Sequence, residues 1–320
     1  MTQLVARPES PIPEGGEAFM LERSRKISLR YAKFPAKADC KGTVVIFSGR
    51  TEFIEKYYEV IEELQDRGFD AVCIDWRGQG LSSRMKRNSK KGHVRSFNDY
   101  LGDVRAFVKD IMLTEMRAPF FCLAHSMGGH IMLRYAVEGP NPFERMILSS
   151  PMLDIKMGTT SRQIVSVLTP LLRFCGLGGL ALGRLSAKMP FENNPLTRDP
   201  SRFDTFNAFT DDEPKLLVTA PTVAWLHSAL KSIKVTSDRR FGEKIRIPVL
   251  ILAAGEDRIV STPVAERFAQ RVKLARTIVI PGSEHELLLE RDHIRAQFWA
   301  AFDAFIPGTE DAMQVRMSLV

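Results

Sequence analysis

The chain has 320 residues, 44% of them hydrophobic and 26% charged, a mixture typical of globular domains that excludes disordered, collagen-like and coiled-coil proteins. Its four cysteines lie far apart, without the paired spacing of a zinc or redox motif, which favours a reduced, intracellular setting. Basic residues number 45 and acidic residues 38, so the formal net charge is +7. This excess predicts an anionic partner, but composition alone does not choose between nucleic acid, a phospholipid surface and an acidic substrate.

The hydrophobic segments of the chain predict neither a secretory signal nor a membrane-spanning helix. The first residues contain no long apolar core. The most apolar stretch, 166–183, is interrupted by Pro170 and Arg173, whereas a spanning helix needs roughly 20 apolar residues. We interpret this stretch as a helix packed on the body of the protein, with an interfacial or substrate-covering helix as the alternative. The expected location is cytoplasmic.

Strands and helices alternate in the predicted structure of the first half of the chain. Apolar, β-branched runs predict the strands, and apolar residues at helical spacing predict the helices. Ser96 is the expected N-cap of one helix, because Asp99 follows it as in a capping box. The predicted strands are 26–34, 42–49, 69–76, 119–126 and 143–153, and the predicted helices are 54–68, 96–115 and 127–139. This order indicates a mainly parallel sheet flanked by helices.

The alternation stops at about Ile155 and returns after about Arg240. The segment between them contains six prolines and no apolar run typical of a buried strand. After it, the predicted strands are 247–257 and 275–282, and the predicted helices are 263–272 and 291–305. One domain with an insertion explains this order better than two tandem domains. The expected organisation is a core formed by residues 1–154 and 241–320, with a helical cap inserted at residues 155–240.

The segment LAHSMGGH joins a predicted buried strand directly to a helix and contains Ser126. A serine on such a tight strand-to-helix turn presents its hydroxyl above the carboxyl edge of the sheet. The turn requires small residues two positions before and after the serine, where the chain has Ala124 and Gly128. An ordinary loop serine is the alternative, but the placement between these two elements predicts a nucleophile.

A serine nucleophile needs a base that takes its proton, and six histidines are available. Only His285 directly follows the last predicted strand, at the same sheet edge as Ser126. We expect His125, next to the serine in sequence, to point into the core. The others lie in the basic loop, on helices or in the insertion: His93, His130, His227 and His293. His285 is therefore the predicted general base.

An acidic residue should orient the imidazole and stabilise its charged form. Glu256 and Asp257 lie in the loop after the segment ILAAG, one strand and one helix before His285. Either acid therefore gives the chain order serine, acid, histidine. Asp154, which follows the strand 143–153, is a competitor.

The oxyanion hole requires two backbone N–H groups directed at the developing negative oxygen. One is predicted from Met127, the residue after the nucleophile, and the other from Arg50, in the loop after the strand 42–49. Because the donors are backbone groups, the arginine side chain is not needed for this role. Its charge can still attract an anionic substrate.

Six segments of the chain carry a family resemblance: SGRTEFIEKY, IDWRGQGLS, GHVRSFNDY, LAHSMGG, GEDRIV and GSEH, in that order. Together they resemble the serine hydrolases of the α/β-hydrolase fold, in particular the bacterial lysophospholipase and monoacylglycerol lipase family. The resemblance covers about residues 26–305. Two positions depart from the family pattern: Ser48 replaces the histidine usual before the oxyanion glycine, and Ala124 replaces a glycine. Neither departure removes a member of the catalytic set.

This resemblance implies an enzyme that cleaves a carboxylic ester through an acyl-enzyme, with lysophospholipid or monoacylglycerol as the substrate. It assigns catalysis to Ser126, Asp257 and His285, preferring Asp257 over Glu256 and Asp154. No metal or other cofactor is expected. The cap would enclose the acyl chain. Six apolar residues of the cap are candidates for substrate binding, although packing within the cap explains each of them equally well. They are Leu171, Leu172, Phe174, Leu177, Trp225 and Leu226.

The triad does not separate several related functions. Thioesterases and small-ester esterases use the same machinery. An aminopeptidase of this fold would need an amine-binding acidic pocket, which the sequence does not reveal. A non-catalytic binding protein that keeps the fold is the remaining alternative, and the intact Ser126, Asp257 and His285 argue against it.

The positive charge is concentrated in two segments. Residues 84–95 contribute +6 and the insertion, 155–240, contributes +5, so the rest of the chain is negative. Both segments follow the predicted carboxyl edge of the sheet. A nucleic-acid partner is not expected, because no nucleic-acid-binding motif accompanies the charge. A solvated loop is the default explanation of such a run, and among anionic partners we prefer peripheral contact with an anionic membrane surface, at its inner face, to nucleic acid.

Overall fold

One sheet of eight strands organises the computed structural model, which describes residues 3–86, 90–157, 162–183 and 190–308. The strands are β1 (Glu17–Ser24), β2 (Ile27–Phe34), β3 (Thr43–Phe47), β4 (Asp70–Ile74), β5 (Phe120–His125), β6 (Arg145–Ser149), β7 (Val249–Ala254) and β8 (Ala275–Ile280). Their order across the sheet is β1-β2-β4-β3-β5-β6-β7-β8. The β1–β2 and β2–β4 pairs are antiparallel and the others are parallel. The predicted fold class is confirmed.

The edge strand β1 is absent from the sequence-based prediction. It lies at the edge of the sheet beside β2, and only Ala18 and Leu21 of its eight residues are buried. A strand with one exposed edge lacks the continuous apolar run of strands that are covered on both faces. The sequence signal for β1 is correspondingly weak.

Helices cover both faces of the sheet. They are α1 (Tyr58–Asp66), α2 (Phe97–Phe107), α3 (Leu113–Glu115), α4 (Ser126–Glu138), α5 (Arg162–Phe174), α6 (Pro200–Asp212), α7 (Val223–Ser237), α8 (Arg239–Gly242), α9 (Thr262–Arg271) and α10 (Asp292–Phe305). The Ser96 side chain accepts a hydrogen bond from the Asn98 amide at the start of α2, so the predicted N-cap is confirmed. Pro170 lies inside α5 rather than ending it. Among the described residues, no helix is long and apolar enough to cross a membrane.

Alternate residues of the central strands pack into two hydrophobic clusters, one on each face of the sheet. Val45 and Phe47 of β3 belong to the cluster that also contains residues of α2, α4 and α7. Val44 and Ile46 belong to the cluster that contains residues of α1 and α10. All of β3, β4, β5 and β7 is buried, which is why these strands are continuous apolar runs in the sequence.

The segment between β6 and β7 leaves the sheet, although the two strands are parallel neighbours within it. Its described residues contain four α-helices, α5 to α8, two short 3-10 helices and no strand. Ala229 and Ile233 of α7 lie in the same cluster as β3, and α5 packs on α7. The last long helix of the insertion is thus part of the main core, and α5 forms an outer layer.

A buried ionic network holds the loops near the carboxyl ends of β3 and β4. The guanidinium of Arg30 donates to both Glu55 carboxylate oxygens at 2.7 Å and to Asp75 at 2.7 Å. Asp75 also accepts hydrogen bonds from the amides of Ile54 and Leu81, at 3.0 and 2.8 Å. The network joins β2, the turn after β4 and the residues that precede α1, so it restrains the segment that follows β3.

The N-terminal turn of α4 packs directly against the end of β3. A Cβ atom at Gly128 would overlap the Phe47 carbonyl oxygen and lie 2.5 Å from that of Ser48. Such distances do not occur between real atoms in contact, so only glycine allows this approach. The approach places the residue after β5 beside the loop after β3.

We expect Gly128→Ala to lower the free energy of unfolding by about 1–3 kcal/mol, because the added methyl group overpacks the contact with β3. Gly102→Ala is the matched control, since a Cβ there meets only the Arg23 side chain at 3.8 Å. Alanine at this helical position should be neutral or stabilising by up to about 1 kcal/mol. Urea denaturation of both variants measures the difference. Equal changes in the free energy of unfolding for the two variants would contradict the close approach of α4 to β3.

Candidate active site

Ser126 lies on a strained turn between β5 and α4. It follows the last residue of the strand and begins the helix, with a backbone φ of +48°. Only two other non-glycine residues in the described part of the chain, Thr51 and Ser150, have positive φ. Such a conformation is costly and persists only where the surrounding packing holds it. This is the turn geometry predicted from LAHSMGGH.

His285 approaches Ser126 from the loop after β8. Its Nε2 atom lies 2.9 Å from Ser126 Oγ, and its Nδ1 atom lies 2.7 Å from Asp257 Oδ2. All three residues are buried. Residues that are far apart in the sequence meet here because the strands before them are parallel and end at one edge of the sheet.

Of the three acids considered from the sequence, Asp257 is the one that contacts His285. Glu256 is exposed and pairs with Arg198, and Asp154 pairs with Arg162. Burial opposes ionisation of Asp257, but hydrogen bonding and charge attraction from His285 more than offset it and lower the pKa of the carboxyl. The amides of Ile259 and Val260 donate to its other oxygen, at 2.8 and 2.9 Å.

The remaining histidines have separate surroundings. His125 is buried beside β6, with Nδ1 3.1 Å from the Ser149 carbonyl oxygen, and its ring centroid is 4.8 Å from that of His285. His93 contacts Thr222 at 2.9 Å and His130 contacts Ser232 at 2.6 Å. His227 lies 3.4 Å from Thr169 and His293 is exposed. The structure therefore brings His285, as predicted, to the serine.

The loop after β3 carries Arg50, the second predicted oxyanion donor. Gln79 holds this loop on both sides of Arg50: its side-chain amide donates to the Gly49 carbonyl at 2.9 Å and its carbonyl accepts from the Thr51 amide at 3.1 Å. Met127 is the second residue of α4, so its N–H has no acceptor within the helix. The structure places the two predicted donor residues on adjacent segments.

Ser48 does not brace the loop as the usual histidine would, since its buried hydroxyl has no hydrogen-bond partner among the described residues. Glu52 supplies the brace. Its carboxylate accepts hydrogen bonds from the Gly49 amide, from Lys56 at 2.8 Å and from the Tyr57 hydroxyl at 2.7 Å. The contacts of Glu52 and Gln79 were not evident from the sequence, although the two residues lie within the motifs SGRTEFIEKY and IDWRGQGLS.

Lys56 is buried between two carboxylates beside the candidate triad. Its ammonium group lies 2.8 Å from Glu52 and 2.6 Å from Glu286. Burial and the Glu52 charge raise the pKa of Glu286 to about 7, although Lys56 opposes the rise. Glu52, Glu286 and His125 place ligand atoms within 4.8 Å of one another. Because the Lys56 ammonium group already occupies the space between both acids and pairs with each of them, this cluster fits an ion-pair network rather than a metal site.

A cavity of about 540 Å³ opens above Ser126 and His285. Its walls are mostly apolar and come from the insertion and from loops at the carboxyl edge of the sheet. The apolar residues that line it include Met152, Ile155, Leu182, Leu196, Phe203, Phe206, Leu217, Val218, Trp225, Leu226, Ile259 and Val260. A volume and lining of this kind suit a small lipid-like molecule.

The predicted substrate-binding residues divide into two groups. Trp225 and Leu226 of α7 line the cavity above Ser126. The other four do not line it, and the structure corrects the prediction for them: Leu171, Leu172, Phe174 and Leu177. α5 packs on α7 through a different face, and its exposed face carries Phe174, which is 91% exposed. Hydrophobicity alone could not indicate which face of α5 points outwards.

Comparison with known proteins agrees with this geometry. The model of the family described as "Serine aminopeptidase, S33" matches residues 38–292. Lysophospholipase L2 of Escherichia coli (strain K12) is 32% identical over 287 residues, which cover 84% of this chain and 81% of that protein. Monoglyceride lipase of Saccharomyces cerevisiae is 24% identical over 271 residues, covering 80% and 81%. The crystal structure of a soluble variant of monoglyceride lipase from Saccharomyces cerevisiae, in complex with a substrate analog, superposes with a TM-score of 0.72 at 20% identity, covering 90% of this chain and 94% of that one. This chain therefore belongs to the serine aminopeptidase S33 family and has the α/β-hydrolase fold.

Proposed function

We propose that the protein is a serine carboxylic-ester hydrolase that cleaves the acyl ester of a single-chain lipid, lysophospholipid or monoacylglycerol, through an acyl-enzyme. The observation that carries the proposal is the hydrogen-bonded series Ser126, His285 and Asp257 at the base of an apolar cavity. A nucleophile, a base and an orienting acid in this arrangement are the requirements for acyl transfer.

In the first step, Ser126 Oγ attacks the ester carbonyl carbon while His285 Nε2 takes its proton. Asp257 holds the proton of Nδ1, which leaves Nε2 free to act as the base and stabilises the imidazolium that forms. The backbone N–H groups of Arg50 and Met127 bind the oxyanion. His285 then gives its proton to the leaving alcohol, and the carbon–oxygen bond of the ester breaks.

In the second step, His285 takes a proton from water, and the water oxygen attacks the acyl-enzyme carbonyl. Collapse of this second tetrahedral intermediate returns the proton to Ser126 and releases the fatty acid. The same two N–H groups stabilise both intermediates, since the negative oxygen occupies the same position in each. No cofactor is needed for this reaction.

In this proposal the inserted residues 155–240 act as a cap on the core formed by residues 1–154 and 241–320. The cap supplies Leu182, Trp225 and Leu226 to the cavity wall. Burying the methylene groups of an acyl chain against such a wall contributes about 0.8 kcal/mol for each group. The cavity therefore favours an ester whose acyl group has many methylene groups over a short soluble ester.

The names of the similar proteins support a lipid ester as the substrate, since these include a lysophospholipase and a monoglyceride lipase. A thioesterase or a small-ester esterase would use the same triad and stays an alternative. An aminopeptidase is disfavoured because the acids that line the cavity, Glu52 and Glu286, are both paired with Lys56. They are not free to bind the amino group of a peptide.

Replacing Ser126 by alanine should abolish labelling by a fluorophosphonate probe and lower kcat by roughly a million-fold. Asp257→Asn should lower kcat by about 10,000-fold, because the amide favours the wrong tautomer of His285. Glu256→Gln is the matched control, since this neighbouring acid is exposed and pairs with Arg198 instead. Esterase assays and probe labelling of the native protein and the three variants test the assignment. Equal labelling of native protein and Ser126→Ala would exclude it.

A panel of lysophosphatidyl lipids, monoacylglycerols, acyl-CoA esters and short p-nitrophenyl esters tests the substrate class. We expect kcat/KM to be higher for the two single-chain lipids than for the short ester, because the cavity wall buries the acyl chain. A strong preference for acyl-CoA or for short esters would reject the lipid assignment while leaving the hydrolase mechanism intact.

We further propose that the outer face of the cap contacts a membrane surface. Residues 164–182 expose eight large apolar side chains. They include Val167, which is 70% exposed, and Phe174, which is 91% exposed. Five of the eight lie on α5, and Leu182 lies close enough to the site to line the cavity. A large exposed apolar patch of this kind marks a surface that binds lipid or another apolar partner.

Basic residues beside this patch favour an anionic bilayer as its partner. Lys91 donates to the Gly179 carbonyl at 3.2 Å, in the turn after α5. Lys86 Nζ lies 3.0 Å from the position that a Cβ atom at Gly179 would occupy, so it is beside the same turn. Burial and the charges of Lys86, Arg95, Arg173 and Lys91 lower the pKa of His93 to about 4, which agrees with a concentration of positive charge in this region. Arg87, from the same basic loop, lies outside the described residues. Juxtaposed apolar and basic groups are typical of interfacial anchors.

Val167→Asp with Phe174→Asp should weaken binding to phosphatidylcholine–phosphatidylglycerol vesicles by at least about tenfold, because two apolar side chains that would enter the bilayer are replaced by charged ones. Leu274→Asp is the matched control, since Leu274 is an exposed apolar residue far along the chain from the cap. Neutralising Lys86 and Lys91 with glutamine should remove the enhancement by phosphatidylglycerol. Vesicle cosedimentation measures both effects. Vesicle binding that does not depend on the content of anionic lipid, or that persists with all four substitutions, would contradict the membrane proposal.

A further inference from the structure

Arg50 is the one cation among the described residues that line the cavity above Ser126. The acids of the lining, Glu52 and Glu286, are paired with Lys56, which lies behind the wall. Lys56 supplies one positive charge for these two acids, and the guanidinium of Arg50 is a charged group of the lining that has no ion-pair partner among the described residues. A cation without an ion-pair partner attracts a substrate that carries a negative charge.

The guanidinium of Arg50 is held in place but left without a counter-ion. Its Nη2 atom donates to the Thr219 carbonyl oxygen, and its Cζ atom lies 5.2 Å from the ring centroid of Trp225. Its Nε atom is buried and has no hydrogen-bond partner, and no carboxylate of the described residues pairs with it. Because Arg50 lines the cavity, its unpaired charge is available to an anionic group of a ligand bound there.

Burial lowers the pKa of Arg50 to about 10. The group still carries its charge at neutral pH, because that value lies well above 7. The lowered pKa therefore agrees with a cation that lacks an acidic partner.

The wall that positions Arg50 is built by two segments that pair with each other. The Thr219 amide donates to the Lys90 carbonyl at 3.0 Å, and the Thr222 amide donates to the Gly92 carbonyl at 2.9 Å. A Cβ atom at Gly92 would lie 3.3 Å from Arg50 Nη2, so a larger residue there would crowd the guanidinium. The motif GHVRSFNDY begins at Gly92, so the start of this motif lies beside the Arg50 side chain.

We propose that the Arg50 side chain binds the phosphate group of a lysophospholipid, so that the enzyme prefers phosphate-bearing single-chain lipids to monoacylglycerols. This inference rests on the proposed ester hydrolysis at Ser126. The main-chain N–H of Arg50 binds the oxyanion in that mechanism, and its side chain extends from the same residue along the cavity wall. In a lysophospholipid the phosphate is separated from the ester carbonyl by the glycerol unit, a span similar to that of an extended arginine side chain. A guanidinium also matches the geometry of phosphate oxygens and binds them in pairs.

The test compares kcat/KM for a lysophosphatidyl lipid and a monoacylglycerol with the same acyl chain, both below their aggregation concentrations so that surface binding does not contribute. The native protein should prefer the lysophospholipid. Arg50→Met should lower the ratio of the two kcat/KM values by about 10- to 100-fold, the loss expected for a charged hydrogen bond. Arg50→Lys should restore part of the ratio, because it keeps the charge without the planar donor pair.

Arg84→Met is the matched control. Arg84 is also half-buried, donates to the Lys215 carbonyl and has a buried nitrogen without a partner, but it does not line the cavity. Its substitution should leave the ratio unchanged. In the native protein, glycerol 3-phosphate should inhibit monoacylglycerol hydrolysis competitively, and Arg50→Met should abolish that inhibition.

Equal losses for both substrates in Arg50→Met would overturn the phosphate assignment, since they would reflect only a disturbed oxyanion loop. A native protein that prefers monoacylglycerol, or that glycerol 3-phosphate does not inhibit, would also overturn it. Both results leave ester hydrolysis intact. Failure of the native protein to hydrolyse either lipid would instead contradict the proposed function itself.

Discussion

The close packing of the first turn of α4 against the end of β3 is the constraint on which the candidate site depends. Gly128 allows this packing because any side chain there would meet the carbonyl oxygens of Phe47 and Ser48. The packing holds Ser126 in its left-handed conformation and brings Met127 beside the loop that carries Arg50. In the proposed mechanism, the nucleophile and both oxyanion donors are thus positioned by one backbone contact. This explains why a small residue is needed two positions after the serine.

Buried charges hold the loops that this contact brings together. Arg30, Glu55 and Asp75 restrain the segment after β3 from one side, and Glu52 with Lys56 restrains it from the other. Each charge is paired and hydrogen-bonded, as burial requires. The networks consist of residues from several elements, so they also couple the loop that carries Arg50 to the sheet. Rigid support of this kind keeps N–H donors aligned without reorganisation during the reaction.

The insertion has two faces with different consequences. Its inner face, with Trp225 and Leu226, forms the wall of the cavity. Its outer face, on α5, leaves apolar side chains in solvent beside a group of basic residues. The excess positive charge of the chain is therefore concentrated near the cap, and Arg50 places one positive charge inside the cavity. Both faces agree with a substrate that is drawn from a lipid phase and carries a charged head group.

The sequence by itself determined the fold class, the strand-to-helix turn at Ser126 and the choice of His285, because strand periodicity and chain order place these residues at one edge of a parallel sheet. It did not show β1, whose exposed edge weakens its pattern, or the bracing by Gln79 and Glu52, whose partners are distant in the chain. The exclusion of Glu256 and Asp154 also required distances to the imidazole. Only the tertiary structure decided that α5 points its apolar residues outwards, since a helix with one apolar stripe fits equally well against a core or a membrane. Periodicity identifies which residues share a face, and packing decides what that face meets.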